Sequence, residues 1–90
     1  MKELDLQYIA HVTTVTGTLR ETYHGDAGTL RALVEELDER YEGFLTLFVS
    51  AETRGLNLNA MIYYSDPGEV PVSVLDLDRP IQDGATVTFW

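Results

Sequence analysis

The chain has 90 residues, 44% of them hydrophobic and 23% charged, which is enough for one small globular core and too little for two. Its 15 acidic and 6 basic side chains give a formal net charge of -9, which disfavours binding to nucleic-acid phosphates or anionic membranes. The absence of cysteine excludes disulfides, thiolate zinc sites and a cysteine nucleophile, and no apolar run matches a signal peptide or a membrane span. These features predict one cytoplasmic domain over residues 1–90.

The first segment alternates apolar and polar residues from Leu4 to Val15, which is typical of a half-buried strand. The residues predicted to face the core are Leu4, Leu6, Tyr8, Ala10 and Val12, and those predicted on the other face are Asp5, Gln7, Ile9, His11 and Thr13. Gly17 supplies a turn, and a second run rich in β-forming residues follows it. We therefore predict a hairpin between Glu3 and His24.

The hydrophobic period then changes to that of an amphipathic helix. Its apolar stripe consists of Leu30, Leu33, Val34, Leu37 and Tyr41, and its acidic residues lie off that stripe. Asp26 or Thr29 can cap the start of this helix, and Gly43 follows it where a left-handed residue is favoured. The pattern predicts one main helix.

Three further strands are predicted after the helix. The apolar run over residues 44–49 fits either a short strand or a tight turn that tucks Phe44, Leu47 and Phe48 under the helix end. Residues 56–64 indicate a strand, and residues 70–78 a short edge strand, because Pro71 lacks a ladder donor. The last residues alternate again and predict a final strand.

This order of elements predicts an α+β fold of the β-grasp, ubiquitin-like type. In that arrangement a mixed sheet of four to five strands carries one main helix on one face. The final strand lies in the middle of the sheet, parallel to the first. We therefore expect Val87 and Phe89 to pack against the apolar stripe of the helix.

The sequence resembles the MoaD/ThiS group of ubiquitin-like sulfur carriers, which includes the molybdopterin synthase small subunit and the thiamine sulfur carrier. The resemblance rests on the hairpin, on the helical segment 29–44 and on a Pro-x-x-Asp-Gly-x-x-Val segment formed by Pro80, Asp83, Gly84 and Val87. It implies the β-grasp fold and a protein partner. Carriers of this group end in a flexible Gly-Gly tail, whose terminal carboxylate is adenylated and converted to a thiocarboxylate.

The chain as written ends in Phe89 and Trp90 in place of this Gly-Gly tail. Two glycines give the narrow cross-section and backbone freedom that such a tail needs, and an indole gives neither. We therefore expect that the chain as written is not a substrate for an adenylating activating enzyme. A genuine carrier whose tail is missing from this chain is the alternative.

No residue pattern indicates catalysis or a cofactor. His11 and His24 can face each other across the first hairpin, but a metal site needs three or four ligands, so we predict no metal. No serine has a recognisable catalytic context. The acidic helix residues, which are Glu35, Glu36, Asp38, Glu39 and Glu42, fit either a solvated surface or a docking surface for a basic partner. We predict a protein that is not an enzyme, although a small subunit of an enzyme complex stays open.

The outer face of the predicted sheet is the candidate binding surface. The residues assigned to it for partner binding are Ile9, His11, Met61, Tyr63, Thr88 and Trp90. Aromatic residues and Met are favoured at the centres of protein interfaces, although Trp90 can equally fold over an edge of the core. These residues predict a protein-interaction or accessory module related to sulfur-carrier or molybdopterin-type pathways. The sequence leaves the oligomeric state open.

Overall fold

The computed structural model describes the whole chain, Met1–Trp90. Its five strands are β1 (Lys2–Tyr8), β2 (Arg20–Gly25), β3 (Ile62–Ser65), β4 (Val72–Val74) and β5 (Thr86–Phe89). Its three α-helices are α1 (Thr13–Thr16), α2 (Leu30–Arg40) and α3 (Phe44–Phe48), and a 3-10 turn at Ala10–Val12 precedes α1. None of these helices has the length and apolar character needed to cross a bilayer.

The strands form one mixed sheet in the order β2-β1-β5-β3-β4. β5 runs parallel to β1, with Leu6 beside Val87, and antiparallel to β3 on its other side. β2 and β4 form the two edges and pair antiparallel with β1 and β3. The predicted α+β arrangement, with the final strand in the middle of the sheet, is confirmed.

The first strand is shorter than the alternation of residues predicted. Ile9 is still extended, but Ala10 has a left-handed φ of 56°, and the chain is helical from Ala10 to Thr16. The hydroxyls of Thr13 and Thr14 donate to the carbonyls of Ala10 and His11, at 2.8 and 2.6 Å, and so hold this turn. The prediction that Ala10 faces the core was wrong, because the left-handed backbone leaves that residue exposed.

The main helix is confirmed, and Thr29 rather than Asp26 caps it. The Thr29 hydroxyl oxygen accepts a hydrogen bond from the Ala32 N–H at 3.2 Å. The buried face of α2 consists of Leu30, Leu33, Val34 and Leu37. Gly43, at φ 90°, takes the left-handed conformation predicted for it and joins α2 to α3.

The apolar run after the main helix is a short helix and not a strand. Phe44 and Phe48 are fully buried, and the centroid of each ring lies 5.1 Å from that of Phe89 on β5. The strand predicted over residues 56–64 begins only at Ile62, since residues 50–61 form a loop. Phe89 therefore meets the rings of α3, and the same apolar cluster includes the buried face of α2.

The Asp-Gly segment before β5 sets the position of that strand beside β1. The Asp83 carboxylate accepts the Glu3 N–H at 2.7 Å, and the Gly84 N–H donates to the Glu3 carbonyl at 2.8 Å. Gly84 has φ 85°, and an added Cβ would lie 3.1 Å from Pro67. One step further, the Asp5 N–H donates to the Ala85 carbonyl at 3.0 Å. These bonds start the parallel pairing of the two central strands.

Candidate partner-binding surface

The sheet has one covered face and one open face. The covered face carries the fully buried side chains that pack under the helices, such as Leu6, Val87 and Phe89. The alternate residues point to the open face, which is mostly polar. These polar residues include Asp5, Gln7, Thr22, Ser65 and Thr86. On this face Asp5 pairs with Arg20 at 2.9 Å.

One corner of the open face is apolar and aromatic. We call it the aromatic corner and define it as Ile9, Met61, Tyr63, Thr88 and Trp90. Trp90 is 39% exposed and Met61 is 45% exposed, whereas Tyr63 and Thr88 are half-buried. None of these five side chains carries a charge.

Strand register brings the members of the aromatic corner together. Tyr63 lies opposite Thr88 in the β3–β5 pair, and the Trp90 N–H donates to the Met61 carbonyl at 2.9 Å. On the other side of β5 the Ile9 N–H donates to the Phe89 carbonyl at 2.9 Å. Because Ile9 keeps an extended backbone, it continues the alternation of β1 on the open face next to Trp90.

The side chains of the aromatic corner also contact one another. The Trp90 and Tyr63 rings meet edge to face, with centroids 6.4 Å apart and planes at 70°. The Tyr63 hydroxyl lies 3.8 Å from the Met61 sulfur and donates to it. These contacts hold three large side chains in place at the surface, which lowers the conformational entropy lost when a partner covers them.

His11 does not belong to this corner. It was predicted on the open face of the first strand, but it lies in the 3-10 turn after β1, because the chain changes direction at Ala10. His11 instead lines an open cavity of about 600 Å³ beside α3 and the loop 50–59. His24 pairs with Glu3 at the opposite end of β1, so the two histidines do not face each other.

The acidic face of α2 is only partly available for docking. Glu35, Glu36, Glu39 and Glu42 are exposed, whereas Asp38 is half-buried and accepts the Leu45 N–H at 2.9 Å. Asp38 therefore joins α2 to α3. A docking role for the four exposed carboxylates stays a prediction. No group of three or more His, Asp or Glu side chains is placed to hold a metal ion.

A partly buried polar cluster lies at the end of α2, and the sequence interpretation missed it. Glu21 pairs with Leu6 in the hairpin, so its side chain points to the covered face. Its carboxylate accepts the buried Tyr8 hydroxyl at 2.8 Å, and it also bonds the Tyr41 hydroxyl and the Arg40 guanidinium. Burial, followed by the bond to Glu21 and its negative charge, raises the pKa of Tyr8 far above its usual range.

Strong alkali is expected to destabilise the fold through its buried tyrosines. Burial, aided by the bond to Glu36, raises the pKa of Tyr23 from 10.0 to about 12, and the pKa values of Tyr41 and Tyr64 are raised as well. The unfolded chain loses tyrosine protons above pH 10, whereas the folded chain retains them. The stability that Tyr23 contributes is therefore fully present below pH 10 and is lost as the pH rises to about 12.

Urea unfolding at several pH values between 9 and 12 checks this expectation. The Tyr23→Phe variant keeps the ring and removes the ionisable hydroxyl, so its stability should fall less steeply over that interval. Equal slopes for the parent and the variant would show that Tyr23 is not responsible.

No protein-family model matches the sequence, and no curated protein matches it. Solved structures do match its fold. One chain of the Amycolatopsis orientalis BexX/CysO complex superposes with a TM-score of 0.75 at 19% identity, over 97% of this chain and 92% of that one. SAMP1 from Haloferax volcanii gives a TM-score of 0.74 at 12% identity, over 98% and 92% of the two chains. This chain has the β-grasp fold.

A third structure links that fold to the group that the sequence resembles. A Pyrococcus furiosus protein provisionally named molybdopterin converting factor, subunit 1, gives a TM-score of 0.68 at 22% identity, over 99% of this chain and 95% of that one. The name of this third neighbour thus matches the group that the sequence resembles. The resemblance read from the hairpin, the helix and the Asp-Gly segment is confirmed for the fold.

Proposed function

We propose that this β-grasp protein is a non-enzymatic module that binds a protein partner through its aromatic corner, in the setting of sulfur-carrier or molybdopterin-type pathways. The observation that carries the proposal is the exposed cluster in which Tyr63 contacts both Trp90 and Met61, on an otherwise polar sheet face. Clustered aromatic and Met side chains without charge are typical of the centre of a protein interface. We place this module in the cytoplasm, as the sequence predicts.

The charge distribution indicates the kind of partner. Three of the arginines form ion pairs within the chain, namely Arg20 with Asp5, Arg31 with Asp78 and Arg40 with Glu21. Lys2 donates to the Ala27 carbonyl, and Arg79 lies over the Tyr64 ring. Most basic groups are thus engaged internally, and the excess of carboxylates faces solvent. We infer a partner with an apolar pocket surrounded by basic residues, which the acidic surface would attract over a distance.

The structural neighbours support a protein partner. One of the matching chains was solved in the BexX/CysO complex. A small β-grasp protein of similar fold is thus known to assemble with another protein. For this chain, we propose that the aromatic corner makes the central contact, with the surrounding polar face as its rim.

The Trp90→Ala variant tests this proposal. Because Trp90 is 39% exposed, its loss should change the melting temperature little. An anchor residue at the centre of an interface contributes about 2 kcal/mol or more, so affinity for the partner should fall about thirtyfold. Candidate partners are captured from the source cells on the immobilised protein, then purified and measured by titration calorimetry against both forms.

Glu39→Gln is the matched control, because Glu39 is exposed on α2, away from the corner. A captured protein counts as a candidate partner if the parent and the control bind it with equal affinity, and its affinity for Trp90→Ala is then measured. If Trp90→Ala instead lowers the melting temperature strongly and leaves affinity unchanged, the indole is part of the core and the proposal fails.

A genuine sulfur carrier is the second candidate, and the similarity in fold to molybdopterin converting factor, subunit 1, favours it. Mass spectrometry of the intact protein isolated from its native source tests it. A terminal carboxylate with sulfur in place of one oxygen would establish the carrier function. An unmodified terminus under conditions that load other carriers in the same cells would favour the interaction module.

A further inference from the structure

The edge strand β4 presents unpaired backbone groups to solvent. In the β3–β5 pair, Met61 is bonded to Trp90, so the backbone groups of Met61 and Tyr63 point toward β5. Those of Ile62 and Tyr64 then point toward β4, where they lie opposite Val74 and Val72. It follows that the N–H and C=O of Ser73, between these two valines, point away from the sheet.

Three apolar side chains along this edge are exposed, whereas Val74 is buried in the core. Val72, on the helix side of the sheet, is 44% exposed, and Val70 and Leu75 at either end of β4 are 76% and 82% exposed. By the same alternation, the backbone nitrogen of Pro71 also points away from the sheet. Because proline has no N–H, no hydrogen bond to β3 is lost at this position. Residues 70–75 carry no charge in a chain whose net charge is -9.

Acidic residues flank both ends of this edge. Glu69 precedes it and Asp76 follows it, and both are exposed and lie outside the ion pairs of the chain. Glu69 lies in a bend three residues before Val72, and Asp76 lies two residues after Val74. A strand added beside β4 would therefore have one of these two acidic residues near each of its ends.

We propose that β4 receives an extended peptide segment of a partner, which adds to the sheet as a sixth strand. The segment has a basic residue near each end and apolar side chains on the face that covers Val72. Its backbone pairs with Ser73, and its basic ends pair with Glu69 and Asp76. This goes beyond binding at the aromatic corner, because the added strand would lie three strand spacings, about 14 Å, from β5.

Charge disfavours a second copy of this chain as the occupant. Two β4 strands paired antiparallel around Ser73 would bring Glu69 of each copy toward Asp76 of the other, and like charges across a strand pair are destabilising. Both copies would also carry a net charge of -9. The other edge strand, β2, is a weaker candidate because Arg20, Glu21 and His24 lie along it.

Fluorescence anisotropy with two synthetic peptides tests the proposal. The probe has an alternating Val-Thr core with Lys-Arg at each end, and its control has the same core with Glu-Asp at each end. The probe should bind saturably and at least tenfold more tightly than the control. Its affinity should fall as salt shortens the Debye length from about 30 Å at 0.01 M to about 3 Å at 1 M. Equal binding of the two peptides, or binding of neither, overturns the proposal.

The Ser73→Pro variant separates strand addition from simple charge attraction. It removes the outward N–H, retains every charge of the chain and leaves the bonds of Val72 and Val74 to β3 in place. We expect at least tenfold weaker binding of the probe, with Glu39→Gln, an exposed change on α2, unchanged. Binding to Ser73→Pro equal to that of the parent would overturn the proposal.

Two further measurements remain informative if Ser73→Pro fails to fold. In the parent protein, the probe should slow hydrogen exchange of the Ser73 amide, and an unchanged exchange rate contradicts strand addition. Sedimentation equilibrium of the free protein should give a monomer. A dimer that Val72→Lys dissociates would make a second copy the occupant and overturn the proposal.

Discussion

Phe89→Ala is expected to lower the free energy of unfolding by about 3–5 kcal/mol, which is typical of a phenylalanine removed from a packed core. Phe89 is fully buried, and its ring stacks on Tyr8 at 5.9 Å between centroids. On the helix side it meets Phe44 and Phe48 edge to face. The cavity would thus open where the central strand, the first strand and α3 meet. A domain this small is expected near the lower end of the usual stability range of about 5–15 kcal/mol, so most of its stability would be lost.

Thermal melts followed by circular dichroism measure this effect. Thr88→Ala is the matched control, since Thr88 is the neighbouring residue on the open face and is half-buried. It should change stability by less than about 1 kcal/mol. Deletion of residues 86–90 removes the central strand and should abolish cooperative melting. A cooperative melt of that deletion close to the parent's would show that β5 does not hold the sheet together.

Glu21→Ala is expected to cost about 1.5–3 kcal/mol, the usual range for lost hydrogen bonds to a charged group. Without the carboxylate, the fully buried Tyr8 hydroxyl has no acceptor and the Arg40 guanidinium loses its ion partner. Both are left unpaired, Tyr8 in the core and Arg40 at its edge. The change also removes the bond between Glu21 on β2 and Arg40 at the end of α2, and leaves the bond from Tyr23 on β2 to Glu36 on α2 in place.

A double-mutant cycle checks this prediction. Tyr8→Phe removes only the hydroxyl, and in the Glu21→Ala background its further cost should be smaller by about 0.5–3 kcal/mol. Glu39→Ala, on the exposed face of α2, serves as the surface control and should stay within about 0.5 kcal/mol of the parent. Strictly additive losses for Tyr8 and Glu21 would show that the bond between them contributes nothing to folding.

The main helix was predicted correctly because its apolar stripe continues over 11 residues, which is long enough to exclude the period of a strand. The final strand has only four residues, but Val87 and Phe89 alternate with threonines, which are enriched in strands. The predictions that were wrong concern segments whose local backbone geometry the sequence pattern does not determine. The alternation of β1 continues in the sequence past Ala10, whose left-handed φ is not visible in its residue type. The run at residues 44–49 is too short for periodicity to separate helix from strand.

The residues of the candidate surface were likewise predicted correctly on the regular strands and wrongly where the backbone departs from a strand. Met61, Tyr63, Thr88 and Trp90 lie on one face because strand parity fixes the side of each residue. His11 was misplaced together with the end of β1. The Glu21 cluster could have been predicted from the sequence, because the same alternation places Glu21 among the core-facing residues of the second strand. A charged residue at such a position signals a buried partner, and here the partners come from both α2 and β1.

The parallel pairing of β1 with β5 also has consequences for folding kinetics. Asp5 lies beside Thr86, so the two central strands come from opposite ends of the sequence. Contacts of such high sequence separation must close a long loop first, which favours folding in milliseconds to seconds rather than microseconds. A ribosome adds only about 5–20 residues per second, so several seconds pass between the synthesis of α2 and the synthesis of β5. During translation the nascent chain exposes the inner edge of β1, which is a site for chaperone binding or mispairing until residue 89 has left the exit tunnel.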